Sequence, residues 1–171
     1  MSNLKACVDA LYEGVDRVAD NIPGLPKCEV LLIRLLLLTG EALQRDVENK
    51  LKPFDMNDSD FRTLMMLYSS ADGSSTPGEL CALAEQKPTN MTRITNLLVK
   101  RGLITRSNAT HDRRQVVLTI TADGRRFVRK LLPPMFPEVV TKFSCFSQTE
   151  RQTFERLLKK LALHLDTADT P

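Results

Sequence analysis

The run from Thr76 to Gly102, TPGELCALAEQKPTNMTRITNLLVKRG, limits most tightly what this chain can fold into. It holds two short helices marked by their own punctuation. Thr76 is placed to cap the first, Pro77 fits its first helical position, and Glu79 closes a capping box. Leu80, Leu83 and Ala84 predict its inner stripe. After a short polar turn, Pro88 opens the second helix. Met91, Ile94 and Leu98 share one face of it, while Thr89, Thr92, Arg93 and Asn96 share the other. Gly102 stops it as the residue just past the cap. The apolar face is there to dock on the first helix, and the polar face is presented outward.

Two strands follow. Leu103 to Arg106 is a short one, and Gln115 to Thr121 a second, with Val116, Leu118 and Ile120 facing one way. The loop between them, SNATHDRR, is tipped with arginine. Helix, turn, helix, two-stranded hairpin is the order of a winged helix-turn-helix. Charge points the same way. Eleven of the 24 basic residues but only two of the 21 acidic ones lie between Lys87 and Lys130. A mildly acidic body thus carries a strongly basic segment, the footprint of a polyanion binder.

The residue types fit double-stranded DNA. Arg93 can donate two bonds to guanine O6 and N7, and Asn90 or Asn96 can pair with adenine N6 and N7. Thr76, Thr89 and Thr92 can position phosphates, and a threonine methyl can meet a thymine methyl. Arg106 belongs to the same basic set. Arg113 and Arg114 at the wing tip can enter a minor groove, where negative potential deepens as the groove narrows. Asp112 is an anion beside phosphates, so its expected part is to pair with an arginine and orient the wing.

The flanks read as helices. Lys27 to Lys50, with EVLLIRLLLLTGEAL at its middle, is apolar nearly all round, which in a chain this small implies a partner chain. Leu4 to Val18 forms an amphipathic helix before it, separated by NIPGLP. Asn57 or Asp58 caps a helix in which Phe61, Leu64, Met65 and Tyr68 recur at helical spacing. SSADGSS reads as a loop. Thr121 caps a last set of helices, interrupted at Pro133-Pro134 and Pro137, and Ser147 with Glu150 makes another capping box. The expected fold is mainly α with a small β-hairpin wing. The expected division is dimerisation helices over 1–54, the DNA-binding lobe over 55–122 and further dimerisation helices over 123–171.

Other function classes find little support. No nucleophile elbow, phosphate loop or metal-spaced set of His, Cys and Asp is present, so neither catalysis, nor a cofactor, nor a metal is expected. Cys7, Cys28, Cys81 and Cys145 are too scattered for a disulfide framework, and reduced thiols in a cytoplasm fit best. The longest apolar run, Val30 to Leu38, is broken by Arg34 and far too short to span a bilayer. Two alternatives are also open. One is a DNA-binding redox sensor using the thiol of Cys28, which begins a helix beside Lys27, or of Cys7. The other is a winged helix used only for protein assembly.

The Thr92-Arg93 pair, RGLI at 101–104, DRR at 112–114 and LTITADG at 118–124 together resemble the MarR family of bacterial regulators. The likeness runs over roughly residues 27 to 165, and CEVLLIRLLLL and KLLPPMFPEVV are most similar to its EmrR branch, that of a multidrug-efflux repressor. The resemblance implies a homodimer, locked by its first and last helices, that binds a palindromic operator and represses nearby efflux or aromatic-compound genes. It implies release by a small phenolic or aromatic acid. By family position that ligand would lie near Phe61, Met65 and Tyr68, with Arg34 or Arg62 meeting its carboxylate; the alternatives are core packing and an intersubunit ion pair.

Overall fold

A computed structural model of the chain describes residues 3–84, 86–108 and 115–168. Helix α1 spans Leu4–Asn21, α2 Lys27–Leu51, α3 Asp58–Ser69, α4 Pro77–Ala84 and α5 Pro88–Lys100. Strands β1 (Ser74–Ser75), β2 (Ile104–Asn108) and β3 (Val116–Ile120) form one antiparallel sheet in the order β1-β3-β2. Helices α6 (Ala122–Leu131), α7 (Phe136–Lys142) and α8 (Gln148–Ala168) complete it. The chain divides into two compact units, residues 1–66 with 77–98 and residues 67–76 with 99–171.

In the first unit, α1 starts where the Asn3 side chain accepts from the Ala6 N–H. It joins α2 through the Lys27 ammonium bonded to Asp16. That hydrogen bond, then the charge of Asp16, holds the Lys27 pKa above its ordinary value. Along α2 only Leu51 is fully buried, while Leu32, Ile33 and Leu37 lie open. An apolar helix this exposed in the single chain is unsatisfied burial.

Helix α3 corrects the expected stripe. The buried positions are Asp60, Thr63, Leu64 and Leu67, one step back from the Phe61, Leu64, Met65, Tyr68 set, whose two aromatics and Met65 are half-buried. Two polar residues occupy the inner face because each is satisfied there: Thr63 donates to the Ser59 carbonyl at 2.8 Å, and Asp60 shares a reciprocal cap with Asn57. Helix α4 starts at Pro77 as expected. Its inner face turns toward Cys81, however, so Leu80 and Ala84 are buried while Leu83 is 66% exposed.

The second unit is built around β3, whose Leu118 and Ile120 face inward with Ile104 of β2. The sheet has a third strand that alternation does not announce: Ser74 and Ser75 pair with Thr119 and Leu118. A tight turn delivers them. Gly73 takes a φ of +76°, open only to glycine without strain, and Asp72 accepts from the Ser74 N–H at 2.9 Å. The Ser74 hydroxyl and N–H hold the Asp72 carboxyl below its usual range.

Helix α8 begins with the expected capping box. Ser147 Oγ accepts from the Glu150 N–H at 3.3 Å, and Glu150 accepts from the Ser147 N–H at 2.8 Å. The Ser147 bonds lower the Glu150 pKa, so this box contributes above the unfolded carboxylate range and is lost as pH falls through the depressed folded value. Beyond the box, Phe154, Leu157, Leu158, Leu161 and Leu165 form an exposed stripe at helical spacing.

Candidate nucleic-acid interface

Helix α5 presents the face its periodicity predicts. Met91, Ile94, Thr95 and Leu98 are buried, and Thr89, Thr92, Arg93 and Asn96 are exposed. It stops at Lys100, with Gly102 at φ +69° just past the cap. The outward side chains are not equally free, however. Thr92 donates its hydroxyl to the Pro88 carbonyl at 3.0 Å, which leaves its methyl rather than its proton for a partner. Asn90 is half-buried and engaged at both ends of its amide. Its Nδ2 donates to Gln86, and its Oδ1 accepts from Arg93 Nε at 3.1 Å. One bond at each end leaves the amide one N–H and one lone pair, and it holds Asn90 beside Arg93.

Arg93 is the centre of the arrangement. Its Nη2 donates to Asp60 Oδ1 at 3.1 Å, across 33 residues of sequence. The Asp60 side chain is 3% exposed, that of Arg93 49%. A carboxylate that deep must be paired and hydrogen-bonded. Asp60 is: it receives Arg93 and the Asn57 N–H, and it sits in the first turn of α3, where the helix dipole favours an anion. Sequence reasoning missed this residue, seeing only an acid in a first turn. The Asn57-x-x-Asp60 spacing signals the cap; no local pattern signals Arg93.

The hairpin is placed from its base. Thr121 accepts from the Gly124 N–H at 2.9 Å and donates to the Gly102 carbonyl at 2.7 Å, tying the first turn of α6 to the start of β2. Gly124 is required there: a Cβ built on it would lie 2.1 Å from the Leu103 carbonyl oxygen. Arg106 is exposed on β2, and Thr76 is half-buried just ahead of α4. Asp112, Arg113 and Arg114 lie outside the described residues, as does His111.

The ligand candidates are less gathered. Arg34 and Arg62 are exposed, on α2 and α3 of the first unit, which also carries Phe61 and Met65. Burial raises the Asp58 pKa and the nearby Arg62 charge opposes it. Tyr68 belongs to the second unit, with the Arg125 guanidinium 5.9 Å from its ring centroid. Cys7 and Cys28 are exposed free thiols, and the Lys27 cation beside Cys28 is already bonded to Asp16.

The sequence matches the MarR family over residues 54–115. The transcriptional repressor MprA of Escherichia coli K12, which is EmrR, is 37% identical over 142 residues, covering 82% of this chain and 80% of that protein. Among solved structures, AbsC of Streptomyces coelicolor, described as a MarR family transcriptional regulator, superposes with a TM-score of 0.73 at 22% identity, covering 85% of this chain and 97% of AbsC. A mutant MarR of Escherichia coli, solved in complex with operator DNA, gives 0.69 at 24% identity over 80% and 97%. Both structures share the fold, and no helix among the described residues is long and apolar enough to cross a membrane. By its kinship with MprA and the family motifs it carries, the chain belongs to the MarR family of transcriptional regulators.

Proposed function

We propose that the protein is a homodimeric repressor that binds a palindromic operator and is released from it by a small phenolic or aromatic acid. The observation that carries the DNA reading is the outward face of α5, which holds a half-exposed, fixed guanidinium within the basic segment. Residues 55–122 read DNA, and 1–54 with 123–171 dimerise. The open apolar faces of α2 and α8 support a second copy. Arg93 reads guanine and Asn96 lies on the same face. Arg113 and Arg114 enter the minor groove, oriented by Asp112, while Thr76, Thr89 and Arg106 contact phosphates. The relative MprA is named a repressor, which supports that sign of regulation. The effector acts only through its differential affinity for the DNA-competent and released states. Phe61, Met65 and Tyr68 line its site, with Arg34 or Arg62 toward its carboxylate.

Fluorescence anisotropy against the protein's own upstream DNA and a scrambled control, across a salt series, tests this. Specific binding with a steep salt slope is expected, relieved by small phenols or aromatic acids. Equal weak affinity for both DNAs sinks the operator reading. Arg93→Ala should cost about 1–3 kcal/mol at one base pair and relax preference there. Arg114→Ala should reduce the magnitude of the log–log salt slope by about 1.8, about 0.9 for each protomer's wing. An unchanged slope removes Arg114 from the DNA contact.

A further inference from the structure

A guanidinium has two forks of parallel N–H donors. One joins Nε to Nη2, and the other joins the two terminal nitrogens. In Arg93, Nε donates to Asn90 and Nη2 donates one of its two N–H groups to Asp60. That leaves three N–H groups, two on Nη1 and one on Nη2, without a partner among the described residues. From these contacts we infer that Asp60 is a specificity-determining residue: it never touches DNA but clamps Arg93 through Nη2, so that the remaining terminal N–H groups are held ready for a guanine. The inference rests on the reading of Arg93 as a base contact.

Three observations make the clamp rigid. Asp60 is all but sealed from water, so solvent does not compete for its oxygens. Its second oxygen is tied to the Asn57 backbone N–H at 3.2 Å, which fixes the carboxylate plane. Asn90 is itself held by Gln86, so the other point of attachment is anchored too. A long side chain that is free in solution must lose its rotamer freedom when it reads a base. Here that ordering is done before DNA arrives, and only the correct base profits from it. A wrong base meets a fork that cannot swing to find another acceptor.

The opposite sign is also physically open. Asp60 would then be a latch, competing with DNA for Arg93. The contacts disfavour it, because Arg93 keeps three N–H groups for a base while bonded to Asp60 and Asn90.

The test uses the full chain and DNA selected from a random-sequence library by the wild type. Base preference is measured at every position for wild type, Asp60→Ala, Asp60→Asn, Arg93→Ala and the Asp60→Ala/Arg93→Ala double variant. Asp60→Ala should lower preference for guanine at one base pair about tenfold, at the position Arg93→Ala affects. Affinity for scrambled DNA should hold, and the double variant should lose no more specificity than Arg93→Ala alone. Asp60→Asn keeps an acceptor without the charge, so it should retain part of the preference. It also stands in should Asp60→Ala fail to fold: it must then show a smaller loss at that same position. A uniform loss on all sequences, a gain in affinity or additive losses in the double variant overturns the clamp. If Arg93→Ala changes no base preference, the base-reading role falls and the clamp falls with it. If Arg93→Ala does and neither Asp60 variant does, only the clamp falls.

Discussion

Gly124→Ala is expected to destabilise the protein by about 2 kcal/mol, although it replaces a glycine inside a helix with the best helix former. The usual gain from such a change is about 0.5–1 kcal/mol. Against it stands a methyl group 2.1 Å from the Leu103 carbonyl oxygen and 2.8 Å from the Ile120 side chain. The oxygen is backbone and accepts from the Thr121 N–H at 3.0 Å, so it cannot step aside without unmaking the turn. Overpacking against fixed atoms costs about 1–3 kcal/mol and sometimes more, and it wins. The melting temperature of a chain this size should fall by about 6 °C. The hairpin base moves with it, so specific DNA binding should weaken beyond what instability explains. A melting temperature at or above that of the wild type would mean that α6 can pull back from β2 at no cost.

Leu161→Glu carries the second large effect. Leu161 lies in the α8 stripe, 40% exposed in the single chain, where a charge meets water and costs little. If the stripe is covered by a second copy, the same charge is buried without a partner on both sides of a two-fold interface. Breaking such burial costs about 3 kcal/mol or more, over a hundredfold in dimer affinity. Sedimentation should then report a folded monomer, with helical content kept. Operator affinity should collapse toward that of a single half-site, because two recognition helices no longer bind as a linked pair. A Leu161→Glu protein that stays dimeric and binds DNA normally would move the interface off α8.

What the sequence made legible was whatever repeats with a period. Both faces of α5 followed from spacing 3.6, the inward face of β3 from spacing 2, and the caps at Thr121 and Ser147 from their residue types. The failures have separate causes. The α3 stripe slipped by one because Asp60 and Thr63 are polar, and only their hydrogen bonds make them inner residues. Strand β1 is two serines, with no alternation to detect; it exists because β3 supplies the ladder. Leu83 was counted inward since an eight-residue helix offers too few turns to settle its face. At the site, the chemistry of Arg93 was legible while its setting was not. Asn90 was legible as a polar residue of that helix, but not its bonds to Gln86 and Arg93.

The strand order has a consequence for how the protein is made. β3 lies between β1 and β2, yet it is the last of the three to leave the ribosome. β1 and β2 bracket the segment that carries α4 and α5, and neither strand has a ladder until β3 arrives. A nascent chain emerging only as far as Asn108 therefore holds both helices as a loop with unpaired ends. Closing that loop is a non-local step, of the kind that slows folding. The cell thus meets α4 and α5 before the sheet entered by the strands that flank them is complete. Its completion waits on the emergence of five residues, Val116–Ile120.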